Sequence, residues 1–482
     1  MVFNRICYSQ KMPFDTPDAS RFGSALKRFA VFFFILALSS LAAQEAAVPS
    51  TQSAPATSSA DFARAADEVL QNMSQITGLP LRNPLKKTLR SREEIRAYII
   101  RQMNEDKDVA QRYADAKSAE AFGLLPKNFD LDAFMVELLT EQIAGLYDPK
   151  AHEFYIADWI PLDDQRMVMA HELTHALEDQ HFQIEPWLKA ARPNDDAELA
   201  REAFLEGSAM AAMVDYLLQG TGKSLNEMPE FDPSILTGDL GSTPSLQKAP
   251  PFIKDTLVFP YFAGMTFTTS VLKPAGWSAL PKIFKNPPAS TQQIMHPDLY
   301  KSGHIAESVT LPAIAGNLGK DWKKLDENLM GEFGWLEVLK QFLDGPRAKS
   351  LSASWDGDRY LLFENQSSKR LLLVTRIRLS NSEQAVRFFG QYSELLEKKH
   401  PHRSNLFRRP NYFSFDTPDG GVFLRCGSTD CVVLEGGEGS LFVEINKQIG
   451  LGPLPEQDQK PGLTPTKTAQ NSVTATSASA SF

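Results

Sequence analysis

Hydrophobic residues recur every three or four positions through Asp61–Gln75, Arg92–Asn104, Leu131–Leu146, Leu162–Phe182 and Asp195–Gln219. That spacing puts the apolar side chains on one face of a helix, so residues 61–345 read as largely helical. Over residues 350–450 the pattern changes. Tyr360–Phe363, Arg370–Leu379, Tyr412–Phe415, Val422–Cys426 and Cys431–Leu434 are strand-like, and one amphipathic helix, Ser382–Lys399, interrupts them. The fold class is therefore α+β, a mostly helical domain followed by a smaller α+β domain. Gly345-Pro346 marks the boundary, giving domains over 61–345 and 346–455. Within the first, Leu146–Ile156 turns at Asp148-Pro149-Lys150 and reads as a hairpin, and the Pro/Gly/Ser-rich segment 224–260 as a long surface loop.

The ends of the chain carry a different message. Phe29–Ala43 is apolar, follows Lys27 and Arg28, and ends in small residues, the layout of a cleaved secretory signal over 1–43. The stretch before Lys27 is long for such a signal, so Met12 is an alternative start. The run is shorter than the roughly 20 residues a membrane span needs. An uncleaved anchor is the alternative; after cleavage no membrane span is expected, and the protein is periplasmic or secreted. Residues 44–60 read as an Ala/Ser/Pro/Thr-rich linker and 456–482 as a disordered tail. With Cys7 removed, Cys426 and Cys431 flank a turn between two strands, which favours a disulfide over two buried thiols. A formal net charge of −9, with no long basic stripe, argues against a nucleic-acid partner.

The chemistry concentrates in His171-Glu172-Leu173-Thr174-His175. Residues four apart on a helix differ by about 40° around its axis, so both imidazoles project from one face and can hold one zinc ion. Glu172 is one step round the helix and can serve as general base to a water that zinc acidifies. A third ligand is needed. His181 lies where a metzincin places its third histidine, but Glu178 replaces the glycine that turns the chain there, and on a continuous helix His181 points about 240° away.

The segment Glu206-Gly207-Ser208-Ala209 resembles the EGxA pattern of aminopeptidase-type gluzincins. Together with HELTHALEDQHF, Pro260-Tyr261-Phe262-Ala263-Gly264 and Pro287–Pro297, it makes residues 130–312 similar to a gluzincin-type metallopeptidase-like family of exported bacterial proteins. The resemblance implies a zincin-like fold and Glu206 as third zinc ligand, with Glu202, one turn earlier, the rival. It implies Gly207 and Ala209 as the small residues that let their helix pack against the first. It implies Tyr261, His296 or Tyr300 as stabiliser of the oxyanion; His152 is a weaker candidate. The hairpin segment His152–Ala157 would be the edge strand that aligns an extended peptide. The aspartate that often follows the ligand glutamate is Met210 here, leaving Asp179 as a substitute partner for a ligand histidine. The expected function is zinc-dependent hydrolysis of a peptide or protein substrate. The alternatives are an exported binding or scaffold protein with a structural or degenerate zinc site, and a zinc amidohydrolase on non-peptide substrates. The basic stretch Lys398–Arg409, with His400 and His402, reads as a solvated loop rather than an anion or metal patch.

Overall fold

The computed structural model describes residues 59–106, 109–225 and 244–455. The signal, all but the last two linker residues and the tail lie outside the described residues. Among those described, no helix is long and apolar enough to cross a membrane.

The first helix, α1 (Ser59–Thr77), buries Phe62, Ala66, Val69 and Met73 along one stripe. Strand β1 (Lys86–Arg90) follows, then α2 (Arg92–Asp106), α3 (Val109–Phe122) and α4 (Leu131–Gln142). The predicted helix over Leu131–Leu146 stops at Gln142 because the chain turns extended at Ile143. The predicted hairpin then forms as β2 (Gly145–Asp148) and β3 (Glu153–Ala157). A three-stranded sheet results in the order β1-β3-β2, parallel on the β1 side and antiparallel on the other. β3 is thus the centre of this sheet and not an edge. The edge nearest α5 (Leu162–Phe182) is β2, where a Cβ on Gly145 would lie 2.8 Å from Val168 Cγ1.

Short α6 (Ile184–Lys189) links α5 to α7 (Asp195–Leu218). The predicted surface loop over 224–260 is helical from Pro244 onward, as α8 (Pro244–Lys248) and α9 (Pro251–Leu272). Proline in a first helical turn forfeits no hydrogen bond, so Pro251 starts α9 rather than preventing it. α7 and α9 meet backbone to backbone. A Cβ on Gly207 would fall 2.1 Å from the Gly264 carbonyl carbon, and one on Gly264 would fall 1.8 Å from Ala203 O. Gly207 therefore packs its helix against α9, not against α5 as expected. Short α10 (Leu280–Lys285), α11 (Thr291–Met295) and α12 (Pro297–Ser302) complete this half.

The second half is a seven-stranded antiparallel sheet. It comprises β4 (Trp322–Asn328), β5 (Trp355–Asn365), β6 (Leu371–Leu379), β7 (Ser404–Arg409), β8 (Tyr412–Thr417), β9 (Gly420–Gly427) and β10 (Asp430–Gly437), in the order β4-β5-β6-β10-β9-β8-β7. Between the strands run α13 (Gly331–Lys340), α14 (Gly345–Ser352) and α15 (Ser382–Lys399), and α16 (Gly439–Ile449) follows. Alternation sorts the side chains. Tyr360 and Leu362 join the main core with Phe388 and Leu395 of α15, while Leu361 and Phe363 face a second cluster with Phe442 and Ile445 of α16. The predicted boundary at Gly345-Pro346 falls inside this unit, since β4 precedes it and Asp344 caps α14. One core runs from Phe62 to Val433 across both halves. Ser118 of α3 also donates to Asp326 of β4 at 2.9 Å.

Cys426 and Cys431 face each other across β9 and β10 and form a disulfide. The predicted basic loop is edge strand β7 from Ser404, and His400 before it is paired: its Nε2 lies 2.7 Å from Glu435, which also accepts from Lys399 at 2.8 Å. Burial pushes the Glu435 carboxyl up, but Lys399 and His400 outweigh it and hold it down at about 2. The folded value is below the ordinary 4.5, so this stabilisation is present above that pH and lost as pH falls toward 2. Glu435→Gln should therefore cost about 3 kcal/mol at pH 7, read from urea midpoints, and much less near pH 3.

Candidate metal centre

α5 carries His171 and His175 one turn apart, and α7 carries Glu206 opposite them. Donor atoms of these three residues lie within 4.8 Å of one another. His171 Nε2 is 3.0 Å from Glu206 Oε2 and 3.2 Å from His175 Nε2, and His175 Nε2 is 3.6 Å from Glu206 Oε2. Ligands bound tetrahedrally to zinc at ordinary bond lengths sit about 3.3–3.5 Å apart, so the trio fits one ion. All three side chains are fully buried. Glu206 Oε1 finds no hydrogen-bond donor among the described residues, as suits a carboxylate that shares a cation.

Burial lowers the pKa of His171. It also lowers that of His175, but the flanking Glu206 and Glu178 carboxylates prevail and push it up to about 10.

Glu172 is fully buried, and its Oε2 accepts the Tyr147 backbone N–H at 2.8 Å. It therefore sits where β2, the sheet edge, meets α5. Tyr261 of α9 is buried with its ring centroid 6.0 Å from that of His171. Burial, then the charges of Glu206, Glu172 and Glu202, raise its pKa well above the ordinary value, so its hydroxyl stays protonated. The Gly207–Gly264 contact explains this placement, because Tyr261 lies just under one turn before Gly264.

Other candidates lie elsewhere. Glu202 is fully buried on α7 but is not among the three converging residues. His296 is drawn to Glu332 of α13, with Nε2 2.8 Å from Oε1; that hydrogen bond raises its pKa against partial burial. This pairing occupies Nε2 of the imidazole, and His296 is not among the three converging residues. Tyr300 donates its hydroxyl to Asn286 O at 2.8 Å. His181 reaches Pro80 O at 2.8 Å, away from the trio, as a continuous helix requires. His152 is largely exposed, with Nδ1 3.0 Å from Asp179 Oδ2. Asp179 also accepts from Tyr147 Oη and Ile184 N, and so is not the partner of a ligand histidine. Glu178, one helical turn beyond His175, faces His175 Nδ1 at 3.4 Å. Helical spacing makes both Glu178, at i+3, and Asp179, at i+4, candidates to face His175, and the sequence expectation named only Asp179.

A family model described as a domain of unknown function (DUF8575) matches residues 321–439. That span holds β4 through β10 with their intervening helices and none of the metal-centre residues. No curated protein and no solved structure gives a significant match.

Proposed function

We propose that this protein is an exported zinc-dependent metallopeptidase with a zincin-like arrangement. The observation that carries the reading is the buried convergence of His171, His175 and Glu206, with Glu172 adjoining on the same helix. His171, His175 and Glu206 hold the ion. Zinc so held would polarise a peptide carbonyl and lower the pKa of water. Glu172 takes the proton from the attacking water and passes it to the departing amine. Tyr261, protonated at any working pH, donates a hydrogen bond to the developing oxyanion. α5 beside the small β1-β3-β2 sheet, with α7 and α9 beneath, supports the zincin-like description.

Complete burial of the trio favours a second reading, an exported binding or scaffold protein whose zinc is structural. A carboxylate beside the ligands on the same helix has no task in a purely structural site, which supports the enzyme. Digestion of a peptide library by the chain from residue 44 onward tests the choice. Cleavage that a chelator abolishes and zinc restores is the expected result. Intact peptides alongside turnover of simple amides would indicate a non-peptide amidohydrolase, and no turnover of either would favour the scaffold.

A further inference from the structure

We propose that Glu178 positions His175 for metal binding and that Ser208 locks Glu178 in place, so that the helix carrying the third ligand also fixes the orientation of the second. The inference deepens the zinc reading above and rests on it.

His175 turns Nε2 toward His171 and Glu206, and Nδ1 toward Glu178 Oε2 at 3.4 Å. A neutral imidazole has one N–H, and an ionised carboxylate only accepts. With the Nε2 lone pair committed to the metal, that one N–H lies on Nδ1 and faces the Glu178 carboxylate. A carboxylate behind a ligand imidazole also strengthens it as a donor.

The other Glu178 oxygen, Oε1, accepts from Ser208 Oγ at 2.5 Å. Ser208 stands two residues after Glu206 on α7. Its hydroxyl has one proton, and the shorter contact takes it; Leu205 O, at 2.8 Å, is the alternative acceptor. Glu178 and Ser208 are both fully buried, so water does not compete for either contact. The neighbouring carboxylate, Asp179, is engaged instead with Tyr147, His152 and Ile184. It clamps the β2–β3 hairpin and the start of α6 onto the end of α5.

The test is zinc affinity measured by competition with a chromogenic chelator. Wild type would be compared with Glu178→Ala, Glu178→Gln, Ser208→Ala and Asp179→Asn, each checked for folding by its melting curve. Glu178→Ala should weaken zinc binding by about 10–100-fold. Glu178→Gln, which keeps an acceptor oxygen but not the charge, should lose less, and Ser208→Ala should lose severalfold. Asp179→Asn should bind as wild type does. Replacing zinc with cobalt(II) adds a spectroscopic readout: the visible bands should shift in the Glu178 variants and not in Asp179→Asn. Folded Glu178→Ala protein within twofold of wild type would overturn the inference, as would a loss confined to Asp179→Asn. A folded wild type that binds no zinc would sink the metal reading and this inference with it.

Discussion

Glu172→Gln should leave zinc bound and lower kcat/KM on any peptide the protein cleaves by about 10²–10⁴-fold, the usual worth of a positioned general base. The substitution is close to a pure chemical change. Glutamine has the same shape, and its Oε1 can still accept the Tyr147 N–H that holds Glu172 at the edge of β2. Folding and metal content should therefore match wild type, and only the capacity to accept a proton is removed. Steady-state kinetics beside elemental analysis separates the possibilities. Full activity with full zinc would mean that another group takes the proton. Loss of both would assign Glu172 a part in building the site.

Gly264→Ala should be among the most destabilising single-methyl changes in the chain, at about 3 kcal/mol or more. Its Cβ would sit 1.8 Å from Ala203 O, and neither atom belongs to a flexible side chain. Relief requires α7 and α9 to separate, which carries Tyr261 away from His171. Gly207→Ala strains the same contact from the other helix, with its Cβ 2.1 Å from the Gly264 carbonyl carbon. The two changes should thus be non-additive, because separating the helices once relieves both. Gly390 is the control. It is exposed within α15, a Cβ there meets nothing within 4 Å, and alanine should gain roughly 0.5–1 kcal/mol. Urea midpoints for wild type, the three single variants and the Gly207→Ala/Gly264→Ala double variant read all of this. A Gly264→Ala protein as stable as wild type would contradict the close helix contact.

Where hydrophobic period alone decides, the sequence was enough. α15 has the expected bounds because it buries an apolar stripe; α5 has them too, although it is buried all round from Val168 to Asp179. Two of the three proposed ligands were legible for a related reason: His171 and His175 share a helix face by spacing alone, whereas Glu206 followed from the EGxA resemblance. Composition misled in the segment 224–260, where prolines and glycines suggested a loop. Pro251 opens α9, and Gly264 within it allows a helix contact that only three-dimensional packing reveals. β4 and β7 were missed because Lys323, Lys324, Arg408 and Arg409 break the apolar alternation of edge strands that face water. The boundary at Gly345 followed from missing β4. Glu178 and Asp179 are adjacent on one helix, so periodicity could not say which would meet His175. That depends on where Ser208, Tyr147 and Ile184 arrive from other elements.

The central claim is one zinc ion held by His171, His175 and Glu206, and zinc stoichiometry tests it most directly. Elemental analysis of the chain from residue 44 onward, wild type beside Glu206→Gln and Glu202→Gln, is sufficient. The account predicts about one zinc per chain in wild type and in Glu202→Gln, and a large loss in Glu206→Gln, since a catalytic zinc takes about three protein ligands. Loss only in Glu202→Gln would move the third ligand one helical turn along α7. Folded wild-type protein that takes up no zinc, even after reconstitution, would contradict the account.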